Sequence, residues 1–191
     1  MCDAGLALVA YFYFDFRDTA KQDIRGLLSS VVTQLSSESD ACYNILSDLY
    51  SAHYAGSQLP SDEALTQCLK NMLQLPDLPP IYLVVDAVDE CPDSSGVVSP
   101  RERVLDLIED LVESRLPNLR LCVTSRPETD ILDVLEPLAS HTMSLHHEDG
   151  QKRDLNDYIN AAVQSDRKMR RWRAQDRQLV IDALTERADG M

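Results

Sequence analysis

Three nearly continuous apolar runs divide the chain and are typical of buried β-strands. They are Leu6–Phe14, Ile81–Asp86 and Leu119–Thr124. A strand that is apolar on both sides is expected in a parallel sheet whose two faces are both covered by helices. A shorter segment, Thr142–Leu145, is a candidate for one more strand. The pattern therefore predicts a mostly parallel sheet.

Between and after these runs, apolar residues recur three or four positions apart, which predicts helices. Asp18, Ser39 and Ser61 each precede such a segment and can serve as its N-cap. Ser99–Glu102 matches a capping box with proline at the first helical position. Further helices are predicted up to Leu135, around Leu155–Val163 and over Leu179–Ala188.

The alternation of strands and helices indicates an α/β fold, a parallel sheet flanked by helices, with additional helices at the C-terminal end. Residues 1–150 are predicted to form the α/β core, and residues 151–191 a helical segment that follows it. The chain runs into its first strand within a few residues of Met1, which suggests that it begins inside a domain.

Composition and charge narrow the class of protein. With 44% hydrophobic and 26% charged residues, the 191-residue chain has the balance of a folded globular protein. Its formal net charge of −14 repels phosphate backbones, so nucleic acid is not expected as a general partner. The five dispersed cysteines favour reduced thiols and an intracellular, cytoplasmic location. Neither a membrane-spanning run nor a signal peptide is recognisable, so no membrane partner is expected.

The strand ends carry the candidate chemistry, because ligands of open α/β sheets bind at the carboxyl ends of the strands. Asp86 is the last residue of a predicted buried strand, and Asp89 and Glu90 follow it closely. Such a carboxylate can hold Mg²⁺, and a second acid nearby can orient or deprotonate an attacking water. The alternative is that Asp86 caps a loop and that the other two acids are solvated.

The next strand ends in a second polar group, Thr124-Ser125-Arg126-Pro127. A fixed guanidinium at such a strand end can sense a γ-phosphate and stabilise charge during its transfer. The alternative is that Arg126 is a surface residue that pairs with Glu128 or Asp130.

Together these segments resemble a known family. YLVVDAVDEC and LRLCVTSRPE resemble the Walker B and sensor 1 segments of NACHT-type STAND NTPases, and AYFYFDFRD resembles the strand that follows their phosphate-loop helix. The fungal branch, which is nephrocystin-like at its N-terminus, gives the nearest resemblance. It implies that Asp86 is the Mg²⁺ carboxylate, that Asp89 and Glu90 lie near the attacking water, and that Arg126 is the sensor 1 arginine. Ala87 stands where the family often has glycine.

The phosphate-binding loop of that family is missing from the sequence. No GxxxxGK[ST] occurs, and the six glycines are isolated. The resemblance places the loop before Met1, together with the central strand of a sheet ordered 5-1-4-3-2. We therefore expect a sheet that lacks its phosphate-loop strand, with a gap between Thr142–Leu145 and Leu119–Thr124. We also expect weak or no nucleotide binding by these residues alone.

The function implied by the resemblance is a signalling switch that binds and slowly hydrolyses ATP or GTP with Mg²⁺. It further implies self-association in the activated state, effector and repeat domains in the same polypeptide, a winged-helix region downstream, and a role in fungal non-self recognition or cell death. One alternative is a degenerate scaffold that does not hydrolyse nucleotide. Another is a phosphatase or phospho-receiver with Asp86 as phosphate acceptor, which lacks the expected acids at its first strand end and a late lysine.

Three further features are assigned no chemistry. Adjacent side chains of His146–Asp149 point to opposite sides of an extended segment, a poor geometry for one metal ion. The basic run Arg167–Arg173 is interpreted as a solvated helix end anchored by Trp172; contact with a phosphate, an acidic partner or RNA is the alternative. The cysteines lack a nucleophile motif and are expected to be buried thiols.

Overall fold

A computed structural model of the chain describes residues 6–53, 58–93, 98–144 and 149–188. The chain forms two compact units, Met1–Ala139 and Ser140–Met191. The first unit is an α/β layer structure and the second is helical. The predicted division into an α/β core of residues 1–150 and a helical segment of residues 151–191 stays a prediction.

The first unit contains a parallel three-stranded sheet, as the apolar runs predicted. Its strands are β1 (Leu8–Tyr13), β2 (Ile81–Asp86) and β3 (Leu119–Val123), in the order β1-β2-β3. The α/β class is therefore confirmed. The further strand predicted at 142–145 is not formed at residues 142–144, and Leu145 lies outside the described residues.

The helices begin where polar caps were predicted, with one correction. Asp18 caps only a 3₁₀ turn, Thr19–Lys21, and Asp23 is the N-cap of α1. Ser39 and Ser61 cap the next two helices, and Ser99 forms the predicted capping box. The helices are α1 (Ile24–Glu38), α2 (Asp40–Ala52), α3 (Asp62–Leu73), α4 (Pro100–Glu113), α5 (Thr129–Leu138), α6 (Asp149–Ser165) and α7 (Ala174–Ala188).

The core of the first unit lies between the helices and one face of the sheet. Every second strand residue is buried there, because side chains alternate between the two faces of a strand. In β1 and β2 these residues are Leu8, Ala10, Phe12, Ile81, Leu83 and Val85, and Leu28, Leu35, Met72 and Ile108 oppose them from the helices.

The opposite face of the sheet is open in the described part of the chain, which corrects the expectation that helices cover both faces. Tyr11, Tyr13 and Tyr82 are 57%, 47% and 45% exposed, and Cys122 is also exposed. The alternation of buried and exposed positions shows that one side of each strand faces solvent, and on β3 this side carries Arg120 and Cys122.

The two edges of the sheet differ. Gln34 of α1 closes the β1 edge, since its side-chain amide accepts from the Tyr11 N–H at 3.0 Å and donates to the Tyr11 carbonyl at 2.7 Å. Glu38, one turn further along α1, accepts from the Val9 N–H at 3.5 Å. At the β3 edge the Arg120 guanidinium donates to the Leu119 carbonyl at 2.9 Å, and no side chain of a described helix bonds to the strand backbone. Unpaired strand edges are sites where another strand can add.

The second unit is a pair of helices, α6 and α7, packed around Ile159, Val163 and Ile181. The basic run lies between these helices and includes a 3₁₀ turn, Met169–Arg171, and Trp172, which is 47% exposed. Of the helices described, none has the length and apolar character to cross a membrane.

The cysteines follow the expectation of buried thiols in part. Cys42, Cys68 and Cys91 are buried, whereas Cys122 is exposed on the open face and Cys2 lies outside the described residues. Burial raises the pKa of Cys68 to about 11 and that of Cys91 to about 12. The two thiols therefore stay protonated at neutral pH and are poor nucleophiles.

Candidate functional site

The three strands end on one rim of the sheet, because parallel strands share a direction. Asp86 ends β2 opposite Tyr13 of β1, and its neighbour Val85 pairs with Val123 of β3. The hydroxyl of Thr124 donates to the Asp86 carboxylate. The predicted juxtaposition of Asp86 with the end of the Arg126 strand is therefore confirmed.

Asp86 is exposed at this rim, although the rest of its strand is largely buried. One of its carboxylate oxygens accepts from Thr124, which orients the carboxylate against the β3 end. The backbone closes the same junction, since Val88 N–H donates to the Thr124 carbonyl at 3.1 Å. An oriented carboxylate that faces solvent is able to bind a cation.

Ala87 forms a strained turn directly after Asp86. Its backbone lies in the left-handed region, with φ 56° and ψ 49°, which only glycine adopts without steric cost. The Ala87 N–H donates to the Thr124 hydroxyl at 3.0 Å, and this bond holds the turn against β3. The geometry explains why a glycine suits this position.

We expect Ala87→Gly to stabilise the protein by about 1 kcal/mol, because it relieves the left-handed strain. Chemical denaturation should show a higher midpoint with an unchanged slope. Ala41→Gly, in the exposed part of α2, is the matched control and should lose about 1 kcal/mol. Equal losses in both variants would contradict the strain at Ala87.

Asp89 and Arg126 pair across the rim. The Arg126 backbone N–H donates to Asp89 Oδ1 at 3.0 Å, and its Nε lies 3.4 Å from Asp89 Oδ2. The Asp89 side chain is 8% exposed and that of Arg126 is 79% exposed. The alternative pairing of Arg126 with Glu128 or Asp130 is not observed.

Glu90 faces the other neighbour of β2. Its carboxylate accepts from the Phe16 N–H, just beyond β1, at 3.3 Å. Adjacent acids thus engage opposite strand ends, Asp89 toward β3 and Glu90 toward β1. Since Arg126 occupies Asp89, Glu90 is the less constrained of the two carboxylates.

Arg101 is a rim residue that the sequence interpretation missed, because it was counted only as part of a capping box. It is 6% exposed, a rare burial for arginine. Its guanidinium donates to the backbone carbonyls of Cys91 at 2.9 Å and Asp89 at 2.7 Å. It also pairs with Glu128 and, at 3.1 Å, with Asp130. Burial acts to lower the pKa of Arg101, but the two acids outweigh it and the pKa is raised.

The end of β1 adds a further charged pair that sequence reasoning did not assign. Arg17 donates to both oxygens of Asp15 at 2.9 Å. These hydrogen bonds lower the pKa of Asp15 to about 2. The Lys21 Nζ lies 3.7 Å from the centre of the Tyr13 ring. The signal was present in the sequence as an Asp-Phe-Arg-Asp segment at a strand end.

The rim offers few protein ligands for a Mg²⁺ ion. The described residues contain no group of three or more His, Cys, Asp or Glu side chains able to hold a metal. Mg²⁺ commonly takes one or two protein oxygens and completes its shell with water and phosphate. The exposed Asp86 carboxylate fits that donor set, with the Thr124 hydroxyl beside it. Of the His146–Asp149 cluster, residues 146–148 lie outside the described residues.

Fold and rim together define an α/β protein with a parallel sheet and an acidic, arginine-containing strand-end site. The family described as Nephrocystin 3, N-terminal, matches residues 2–126, which span β1 to the end of β3 and Arg126. The chain therefore belongs to this family. No curated protein and no solved structure matches it significantly.

Proposed function

We propose that this chain supplies the Mg²⁺-binding and sensor rim of a STAND-class NTPase switch of the NACHT type. The observation that supports it most is the contact of Asp86 with Thr124, which puts a solvent-facing carboxylate next to the Asp89–Arg126 pair. A carboxylate for the metal and a guanidinium for the γ-phosphate are the two groups that phosphoryl transfer needs from strand ends.

In this proposal Asp86 holds Mg²⁺, which when bound neutralises phosphate charge of ATP or GTP. Glu90 orients the attacking water, since among the described residues no arginine forms an ion pair with its carboxylate. Arg126 is mostly exposed; its backbone N–H and its Nε both contact Asp89, and the terminal nitrogens of its guanidinium are proposed to meet a phosphate. Asp89 therefore fixes the position of the Arg126 backbone, from which the side chain extends.

The open side of the sheet agrees with this proposal. The β1 edge is closed by Gln34, whereas at the β3 edge no described helix contributes a side chain and Arg120 bonds to the Leu119 carbonyl. The STAND resemblance puts the phosphate-loop strand next to the strand that corresponds to β3. A strand and helix added there would also cover Tyr11 and Tyr82, which are now exposed.

The wider role that we propose follows the same resemblance. It comprises an intracellular signalling switch that self-associates when activated and that carries effector and repeat domains in one polypeptide. A fungal NLR-like function in non-self recognition or cell death belongs to this proposal. No nucleic-acid or membrane partner is part of it.

The alternative is an interaction scaffold without hydrolysis. It is favoured by the absence of a GxxxxGK[ST] loop from the 191 residues and by the engagement of Asp89 with Arg126, which needs no nucleotide. The two proposals differ in whether any form of the protein binds Mg²⁺–ATP or Mg²⁺–GTP.

The test compares two polypeptides. The coding sequence before Met1 should contain a GxxxxGK[ST] loop within about 40 residues, between a strand and a helix. A polypeptide that includes it should bind and hydrolyse ATP or GTP only with Mg²⁺, whereas the 191 residues alone should show weak or no binding in calorimetry. Absence of nucleotide binding in the longer polypeptide would favour the scaffold.

A further inference from the structure

The rim consists of two backbone segments that must keep a fixed distance. One segment, here the acidic loop, spans Asp86–Cys91, from the last residue of β2 through the 3₁₀ turn Val88–Glu90, and carries Asp89 and Glu90. The other, here the arginine loop, spans Thr124–Asp130, from the residue after β3 to the second residue of α5, and carries Arg126. Direct contacts join the two segments at Val88–Thr124 and at Asp89–Arg126. A group that bonds to both segments would hold them together beyond these contacts.

Arg101 is that group, because its guanidinium contacts both loops at once. Nε and Nη2 donate to the carbonyls of Cys91 and Asp89 in the acidic loop. Nη1 contacts the carboxylates of Glu128 and Asp130 in the arginine loop. A planar guanidinium presents several donors in a fixed geometry, so one side chain can bond to four acceptors on two segments.

The position of Arg101 on α4 makes this link rigid. It is the second residue of a helix that begins with a complete capping box at Ser99 and Glu102. The Arg101 N–H also donates to the Pro92 carbonyl at 3.3 Å. With the side chain buried and the helix start fixed, the guanidinium has little freedom to change partners.

We propose that Arg101 is the positioning residue that holds the acidic loop and the arginine loop in register, and so fixes Asp89 relative to Arg126. Its importance for hydrolysis rests on the proposed function, but its effect on the two loops does not. Arg103, two residues further along α4, does not share this role, because it pairs with Asp62.

Arg101→Lys tests the link in the 191-residue chain by hydrogen exchange. The substitution retains the charge that Glu128 and Asp130 require but cannot reach four acceptors. We expect exchange of the Cys91 and Arg126 amides to rise by about 10-fold or more, while amides within β2 change by less than roughly twofold. Arg103→Lys, on the same helix, is the matched control and should leave both loops unchanged.

A second variant keeps the test decisive if Arg101→Lys folds poorly. Replacing both Glu128 and Asp130 with Ala removes only the acceptors of the arginine loop. The Arg126 amide should then exchange faster, and the Cys91 amide should stay protected. The proposal is overturned if the exchange rates of Arg101→Lys equal those of Arg103→Lys. It is also overturned if exchange of every amide in the first unit rises by the same factor, because a uniform rise reports global destabilisation.

The hydrolysis arm separates this inference from the proposed function. In a longer polypeptide that hydrolyses ATP or GTP, Arg101→Lys should lower kcat by about 10-fold or more with KM nearly unchanged, since it misplaces groups without removing them. A kcat equal to that of the unsubstituted protein would refute the role in hydrolysis. If the unsubstituted polypeptide has no activity, the proposed function fails and hydrogen exchange alone decides the role of Arg101.

Discussion

Gly26→Ala is expected to destabilise the protein by roughly 2–3 kcal/mol, although helix propensity alone predicts a gain of about 1 kcal/mol. Gly26 lies in the first turn of α1, and its N–H donates to the capping Asp23 carboxylate at 2.8 Å. A β-carbon there would lie 2.2 Å from the Ala20 carbonyl oxygen and 3.3 Å from Phe12. The first distance is far below a van der Waals contact.

The carbonyl that would be displaced has little room to move. It belongs to the 3₁₀ turn Thr19–Lys21, in which the Lys21 N–H donates to the backbone carbonyl of Asp18 at 2.8 Å. The Lys21 carbonyl in turn accepts from the Asp15 N–H at 3.2 Å, which connects the turn to the rim. Relief of the clash therefore requires a shift of α1, which packs against the core, or of this turn, which is held by the hydrogen bonds at Asp18 and Asp15.

The measurement is the free energy of unfolding from chemical denaturation. Ser29→Ala, an exposed position in the same helix, is the control and should gain a few tenths of a kcal/mol, about the difference in helix propensity. A Gly26→Ala protein as stable as the Ser29→Ala protein would show that the Ala20 carbonyl does not lie so close to Gly26 that a β-carbon is excluded. The sign of the effect alone decides between propensity and packing.

Local patterns predicted most of the secondary structure, because most elements are marked by their own residues; the strand predicted from Thr142 and the helix start at Asp18 are the exceptions. Uninterrupted apolar runs identified the three strands, and Ser39, Ser61 and Ser99 marked helix starts by side chains that satisfy free N–H groups. The order of the strands was implied by the family resemblance, and the approach of Asp86 to Thr124 followed from the parallel pairing of β2 with β3. These features depend on short-range chemistry and on one topological rule.

The features that the sequence did not reveal depend on contacts between distant segments. Arg101 looked like an ordinary first-turn residue, because its acceptors come from a loop before α4 and from a segment after β3. Asp18 and Asp23 are both reasonable caps, and only the packing of the 3₁₀ turn assigns α1 to Asp23. Coverage of the sheet is likewise a property of the neighbouring elements, which apolar runs such as β2 do not specify.

Asp86→Asn and Glu90→Gln are expected to lower Mg²⁺-dependent hydrolysis by about 100-fold or more in a longer polypeptide that includes a phosphate-binding loop. Asp86→Asn removes the charge that would hold Mg²⁺ but retains an acceptor for the Thr124 hydroxyl, so the rim should keep its geometry. Glu90→Gln removes a proton acceptor and retains an acceptor for the Phe16 N–H. Both substitutions nearly conserve volume, which separates chemistry from folding.

The two variants should differ in binding as well as in turnover. Loss of the Mg²⁺ carboxylate should weaken Mg²⁺–nucleotide binding in calorimetry, whereas loss of the water-orienting group should leave it nearly unchanged. Glu102→Gln, in the capping box and outside the proposed chemistry, is the control and should retain turnover. Turnover that is unaffected by both Asp86→Asn and Glu90→Gln would remove the acidic loop from the reaction. Asp89→Asn is expected to act differently, because this side chain holds Arg126 through two contacts and its loss should displace the guanidinium as well.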